Sequence, residues 1–120
     1  MTDLTQKKCV PCEVGGLPLA LDEARTLMAH IPQWSLAADG KRISREFSFK
    51  DFARAMRFAD KIGEIAEAEG HHPDLQISWG KVIVELQTHA VGGLSENDFI
   101  LAAKIDKIER IAATVAAMET

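Results

Sequence analysis

Tyrosine is absent from this chain of 120 residues, cysteine occurs twice, proline four times, and neither a basic stripe nor a long apolar run appears anywhere. Each shortage removes a class of function. Lys and Arg number 14 against 18 Asp and Glu, for a net charge of -4, and both signs are spread along the chain. No cluster exists to neutralise phosphates, which argues against direct nucleic-acid binding. No apolar run approaches the ~20 residues of a membrane-spanning helix, and the opening MTDLTQKKCVPCEVGG lacks the apolar segment of a secretory signal. The cytoplasm is the expected location. Two cysteines cannot build a disulfide framework. Cys9 and Cys12 stand in a single CVPC, ahead of the first credible element rather than after a strand as in thioredoxin-like pairs. A zinc knuckle would need a second pair, and the expectation is an N-terminal arm, residues 1–16, whose reduced thiols contribute little.

What is present suffices for one core: 47% of residues are hydrophobic, and residues 17–120 read as a single domain. Ala20, Ala24, Leu27, Met28 and Ile31 recur at helical spacing, with Pro32 ending that helix near His30. Two strand-like runs then flank Asp39 and Gly40, a pair suited to a tight turn. In the second run Ile43, Phe47 and Phe49 share one face. Phe52, Met56, Ala59, Ile62 and Ala66 mark a second helix ending at Gly70. Leu75, Ile77 and Trp79, then Val82, Val84 and Leu86, alternate about Gly80 as a second hairpin. In LSENDF, Ser95 reads as an N-cap with Asp98 three residues on, and Leu94 and Phe99 as a hydrophobic staple for a third helix reaching Met118. The order α-β-β-α-β-β-α implies an α+β fold, a four-stranded antiparallel sheet with helices packed on one face. In the third helix Leu101, Ile105, Ile108, Ala112 and Val115 form one apolar stripe, which Ile100, Ala103 and Ile111 widen. Either a partner subunit or deep burial within the chain accounts for that excess.

Three of the four histidines lie in EGHHPDLQISWGKVIVELQTHAVGG. Residue numbers across an antiparallel hairpin sum to a constant, about 160 for a turn centred on Gly80. That places His71 opposite His89 and His72 opposite Thr88, within one register step. Pro73 biases His72 toward extended backbone, so His71 and His72 point to different sides and three imidazoles rim one mouth. Polar residues collecting beside a loop, a three-histidine metal site, and acid–base chemistry by imidazoles are the competing readings. Residue type and geometry favour the last.

The residues also resemble a known family, the pterin-4a-carbinolamine dehydratases. Glu67, His71, His72, Pro73, Trp79, His89 and Asp98 follow that family's pattern in order, and Trp34 with FSFKDFARAMRFADKIGEIAE extends the likeness over Leu17 to Ile111. The resemblance implies dehydration of 4a-hydroxytetrahydropterin to quinonoid dihydropterin, which recycles the pterin of an aromatic amino acid hydroxylase, with no cofactor and no metal. It implies proton transfer by His71 and His89, pterin binding by His72, and a substrate-binding set of His71, His72, Pro73, Thr88, His89 and Glu67. Glu67 would orient an imidazole or simply be solvated. Trp34 and Trp79 read as core rather than as pterin platforms, and Asp98 as a helix cap, with catalysis the lesser alternative. A homo-oligomer, tetramer or dimer, is expected. The alternative is an interaction module of the same fold, a dimerisation cofactor without turnover.

Overall fold

The computed structural model describes residues 3–10 and 16–118, with side chains described as far as Glu109. Among the described residues three helices and four strands follow the expected order: α1 (Leu21–Met28), β1 (Ser35–Leu36), β2 (Ile43–Ser48), α2 (Phe52–Glu69), β3 (Asp74–Ser78), β4 (Lys81–Leu86) and α3 (Glu96–Met118). Short 3-10 turns cover Leu4–Gln6 and His89–Val91. The strands form one antiparallel sheet in the order β1-β2-β4-β3, so β3 and β1 are its edges.

Central strand β4 alternates as the sequence does. Val82, Val84 and Leu86 are fully buried on the helix side, each contributing about 1.5–3 kcal/mol by leaving water. Ile43 and Phe47 of β2 join them, and Phe47 stacks between Trp34 and Phe58 with ring centroids 6.3 and 4.7 Å away. Trp34 is core, as expected, and its indole N–H donates to Asp106 at 2.8 Å. Arg45, over the Phe47 ring, meets the same carboxylate at 2.6 Å, which ties the sheet to α3.

Helix α2 starts at Asp51, whose side chain accepts the Arg54 N–H, and stops at Gly70, which turns left-handed at φ 66. Its buried face keeps Ala59, Ile62 and Ala66 of the expected stripe but not the other two positions. Ala55, Phe58, Ala59, Ile62 and Ala66 point inward, while Phe52 and Met56 are exposed. Phe58 rather than Met56 meets the aromatic cluster on β2, and that rotates the stripe.

Trp79 corrects the reading as core: it is 69% exposed, because it and Gly80 form the two-residue turn of the second hairpin instead of ending a strand. Gly80 is required there. A Cβ would lie 2.9 Å from the Phe49 carbonyl oxygen, in a spot where Phe49 N–H donates to the Gly80 oxygen at 2.8 Å.

In α3, Phe99 through Ala103 and Ile105 are all buried, so the apolar excess over this stretch is consumed within the chain. The sheet and α2 cover part of it. The N-terminal segment covers more, since Leu4 is 4% exposed and belongs to the core. The side chains of Ile111, Ala112 and Val115 lie outside the described residues.

Candidate active site

The register of the second hairpin decides where the histidines fall. Ser78 pairs with Lys81 and Asp74 with Glu85, one residue short of the expected sum, because the turn holds two residues rather than centring on Gly80. Extending the ladder sets Thr88, not His89, opposite His71. His89 sits one residue beyond, on a 3-10 turn closed by Gly92 at φ 69, while Thr88 bridges to Gly93.

His71 follows the left-handed Gly70, and its own N–H still reaches back to the Ala66 carbonyl. The ring is mostly buried, and Nε2 lies 2.6 Å from Asp98 Oδ1. Asp98 is fully buried. Its other oxygen accepts from the Thr88 hydroxyl at 2.8 Å and from the Ser95 N–H at 2.9 Å. The Ser95 hydroxyl in turn bonds Thr88 at 2.8 Å. The carboxylate expected to cap α3 therefore does so through the Ser95 N–H, and also holds His71 and Thr88. A buried charge is tolerable on such terms, with donors on both oxygens.

An ionised carboxylate only accepts, so Nε2 of His71 carries the proton in that bond and Nδ1 is the nitrogen left to take one up. His72 lies elsewhere in polarity. Its Nε2 is 3.4 Å from Glu67 Oε2, and both side chains are mostly exposed, a long contact of little energetic weight. Glu67 thus approaches His72, and Asp98 is the carboxylate that meets His71.

His71, His72, Thr88 and His89 line one cleft of about 280 Å³, together with Val10 and Asn97. That is near the lower end of the range for small-molecule sites, about 300 Å³ upward. Pro73 and Glu67 are not among its lining residues. Among the described residues no three His, Cys, Asp or Glu side chains gather closely enough to hold a metal ion, and no helix is long and apolar enough to cross a membrane.

Sequence reasoning missed Val10 and Asn97. Asn97 Oδ1 accepts the Val10 N–H at 3.0 Å and its Nδ2 donates to the Val10 carbonyl at 2.6 Å. Beside them Cys9 N–H donates to Glu69 Oε1 at 3.0 Å, and Lys104 donates to the same oxygen at 2.9 Å. Lys104 holds the Glu69 carboxyl below its usual range, against the opposing push of burial. Burial, with Glu69 beside it, pushes the Cys9 thiol up to about 12. Cys12 lies outside the described residues. No local signal in the sequence could have found these contacts, which join positions 60 and 87 residues apart.

A family model described as pterin 4 alpha carbinolamine dehydratase matches residues 17–108. A protein of Methylococcus capsulatus named "Putative pterin-4-alpha-carbinolamine dehydratase" is 50% identical over 105 residues, covering 88% of this chain and 92% of its own. One of the same name from Halorhodospira halophila is 46% identical over 105 residues, covering 88% and 96%. Among solved structures, the transcriptional coactivator/pterin dehydratase from Brucella melitensis superposes with a TM-score of 0.72 at 31% identity, over 76% of this chain and 97% of its own. A pterin dehydratase-like protein described as a RuBisCO assembly factor in the alpha-carboxysome shares the fold, with a TM-score of 0.54 at 21% identity over 62% and 87%. With most of its length matched by that model, and with relatives near half identical over almost their whole extent, this chain belongs to the pterin-4-alpha-carbinolamine dehydratase family.

Proposed function

We propose that the protein dehydrates 4a-hydroxytetrahydropterin to quinonoid dihydropterin and water by proton transfer between histidines. Three imidazoles on one cleft support this reading, one of them bound to a fully buried carboxylate. In the reaction the C4a–O bond breaks, N5 loses its proton, and the freed electron pair forms the C4a–N5 double bond. The departing hydroxide needs a proton as the N5 proton needs an acceptor. His71 is the base. Asp98 fixes its tautomer through Nε2–H and offsets the positive charge the ring acquires, as a carboxylate does in a catalytic triad. His89, exposed on its turn, is the acid for the 4a hydroxyl, and exchange with water resets both rings. His72 holds the pterin, and Thr88 acts through Asp98 as a positioning residue. Pro73 and Glu67 shape the approach to His72.

The setting that fits is pterin recycling for an aromatic amino acid hydroxylase, by a cytoplasmic homo-oligomer. Light scattering at micromolar concentration is expected to give a mass above that of one chain. The function itself is tested by generating 4a-hydroxytetrahydropterin in a stopped-flow mixture and following its decay with and without protein. Acceleration that survives a chelator is expected. Decay at the uncatalysed rate overturns the reading and leaves the interaction role, for which the coactivator description of the Brucella melitensis neighbour is the supporting observation. In that case partner binding tolerates loss of His71 or His89.

A further inference from the structure

The segment Lys7–Val10 precedes the residues matched by the family model, yet it reaches the cleft. It is fixed at successive points. Lys7 meets Glu96 at 2.7 Å, Cys9 N–H meets Glu69, and both backbone groups of Val10 are taken by the single amide of Asn97, much as a neighbouring strand would take them. Farther back, Leu4 is buried in the core. The side chain of Val10 has a different fate. It is 64% exposed and, among the described residues, is the largest apolar group lining a cleft otherwise dominated by imidazole, hydroxyl and amide. A β-branched side chain is stiff at χ1, so a valine with a clamped backbone presents a fixed apolar surface. Water gains nothing from that surface, whereas a flat heterocycle does.

We infer that Val10 is a substrate-binding residue, an apolar wall for the pterin ring supplied by the N-terminal segment, and that Asn97 is the positioning residue that sets it. This rests on the dehydratase reading above. Asn97 directly precedes Asp98 in the first turn of α3, so the wall and the carboxylate that holds His71 are carried by consecutive residues. The ring is thereby aligned with the base by one piece of backbone. Val10 has no titratable atom and acts on binding, not on the proton-transfer steps.

The test uses the full chain with Val10→Ser, Asn97→Ala and the double variant, measuring turnover of 4a-hydroxytetrahydropterin and calorimetric binding of 7,8-dihydropterin as a stable probe. Val10→Ser, at an exposed position, is expected to fold as the parent does, to raise KM and the probe Kd about tenfold, and to leave kcat within about twofold. Asn97→Ala is expected to raise both by a similar factor, and the double variant to be no worse than either single one, since a released segment no longer presents residue 10. Parent-like KM and Kd in Val10→Ser, with turnover intact, overturn the inference alone. Additive losses in the double variant also overturn it, because Asn97 would then act independently of Val10. A parent chain that neither turns over substrate nor binds the probe overturns the dehydratase reading and this inference with it.

Discussion

His71 and Asp98 stand 27 residues apart in the chain and 2.6 Å apart at their side-chain tips, with the carboxylate wholly out of water. The two residues carry unequal structural duties, and that separates the consequences of removing them. His71→Ala deletes one imidazole at the edge of the cleft. The expected result is a catalysed rate lower by about 10²–10⁴-fold, or about 3–5 kcal/mol of barrier, with a stability loss of about 1–3 kcal/mol for the one donor that Asp98 Oδ1 gives up. Asp98→Ala is expected to lose comparable rate and more stability, about 1–3 kcal/mol for each of the buried Thr88 donor and the half-buried Ser95 donor left without an acceptor. Paired stopped-flow and urea-unfolding measurements check the contrast. Equal stability losses in the two variants would contradict it.

Glu69 gives the protein an acid-sensitive joint. Its folded carboxyl is held below the ordinary value of 4.5, first by the Lys104 hydrogen bond. A depressed folded pKa contributes stability that is present above the unfolded value and is lost as pH falls through the folded one. Glu69→Gln should therefore be less stable than the parent at neutral pH, with the gap closing well below pH 4.5. Melting temperatures recorded from neutral pH downward decide the point. A gap of constant size would mean that the carboxylate charge contributes nothing.

Cys9 is expected to be a slow thiol. With its pKa pushed up to about 12, little thiolate exists at neutral pH, and Sγ lies 3.6 Å from the Asn97 carbonyl oxygen. In a Cys12→Ser background, alkylation of the folded protein should lag the urea-unfolded chain by more than tenfold. Serine at both positions should leave turnover nearly unchanged, since the Cys9 N–H contact to Glu69 is a backbone one. One equivalent of bound zinc, lost in that double variant, would count against this.

Gly80→Ala tests the second hairpin. The added methyl would sit 2.9 Å from the Phe49 carbonyl oxygen, closer than carbon and oxygen tolerate, so backbone must move. A loss of about 1–3 kcal/mol in urea unfolding is expected. Because the turn lies at the opposite end of the hairpin from the histidines, folded variant protein should retain its turnover.

Local patterns carried most of this fold. Gly70 ends α2 where the sequence placed its end, the period-two alternation of Val82, Val84 and Leu86 is the buried face of β4, and Leu94 and Phe99 are both fully buried at the start of α3. Errors arose where one residue of phase mattered. Counting Trp79 as strand instead of turn shifted the ladder by the one register step that the pairing allowed, which sets Thr88 rather than His89 opposite His71 by extension, and the choice of Met56 over Phe58 rotated the face of α2. The cleft was legible as a gathering of His71, His72 and His89, because a hairpin and a proline bring them to one end. The cap formed by Asp98 was legible too, but its bond to His71 and the bonds between Asn97 and Val10 were not, since each joins segments distant in sequence and leaves no periodicity to read.

The position of Asp98 has a meaning for the chain as it is made. Every histidine of the cleft is synthesised before the carboxylate that holds His71, and Ser95 and Asn97 also emerge after them, at the head of a helix that runs to Met118. A nascent chain that has already paired β3 with β4 still lacks the buried acceptor for Thr88 and His71. Termination in the hairpin's wake would thus yield imidazoles without their partner, and the cleft becomes whole only when α3 docks.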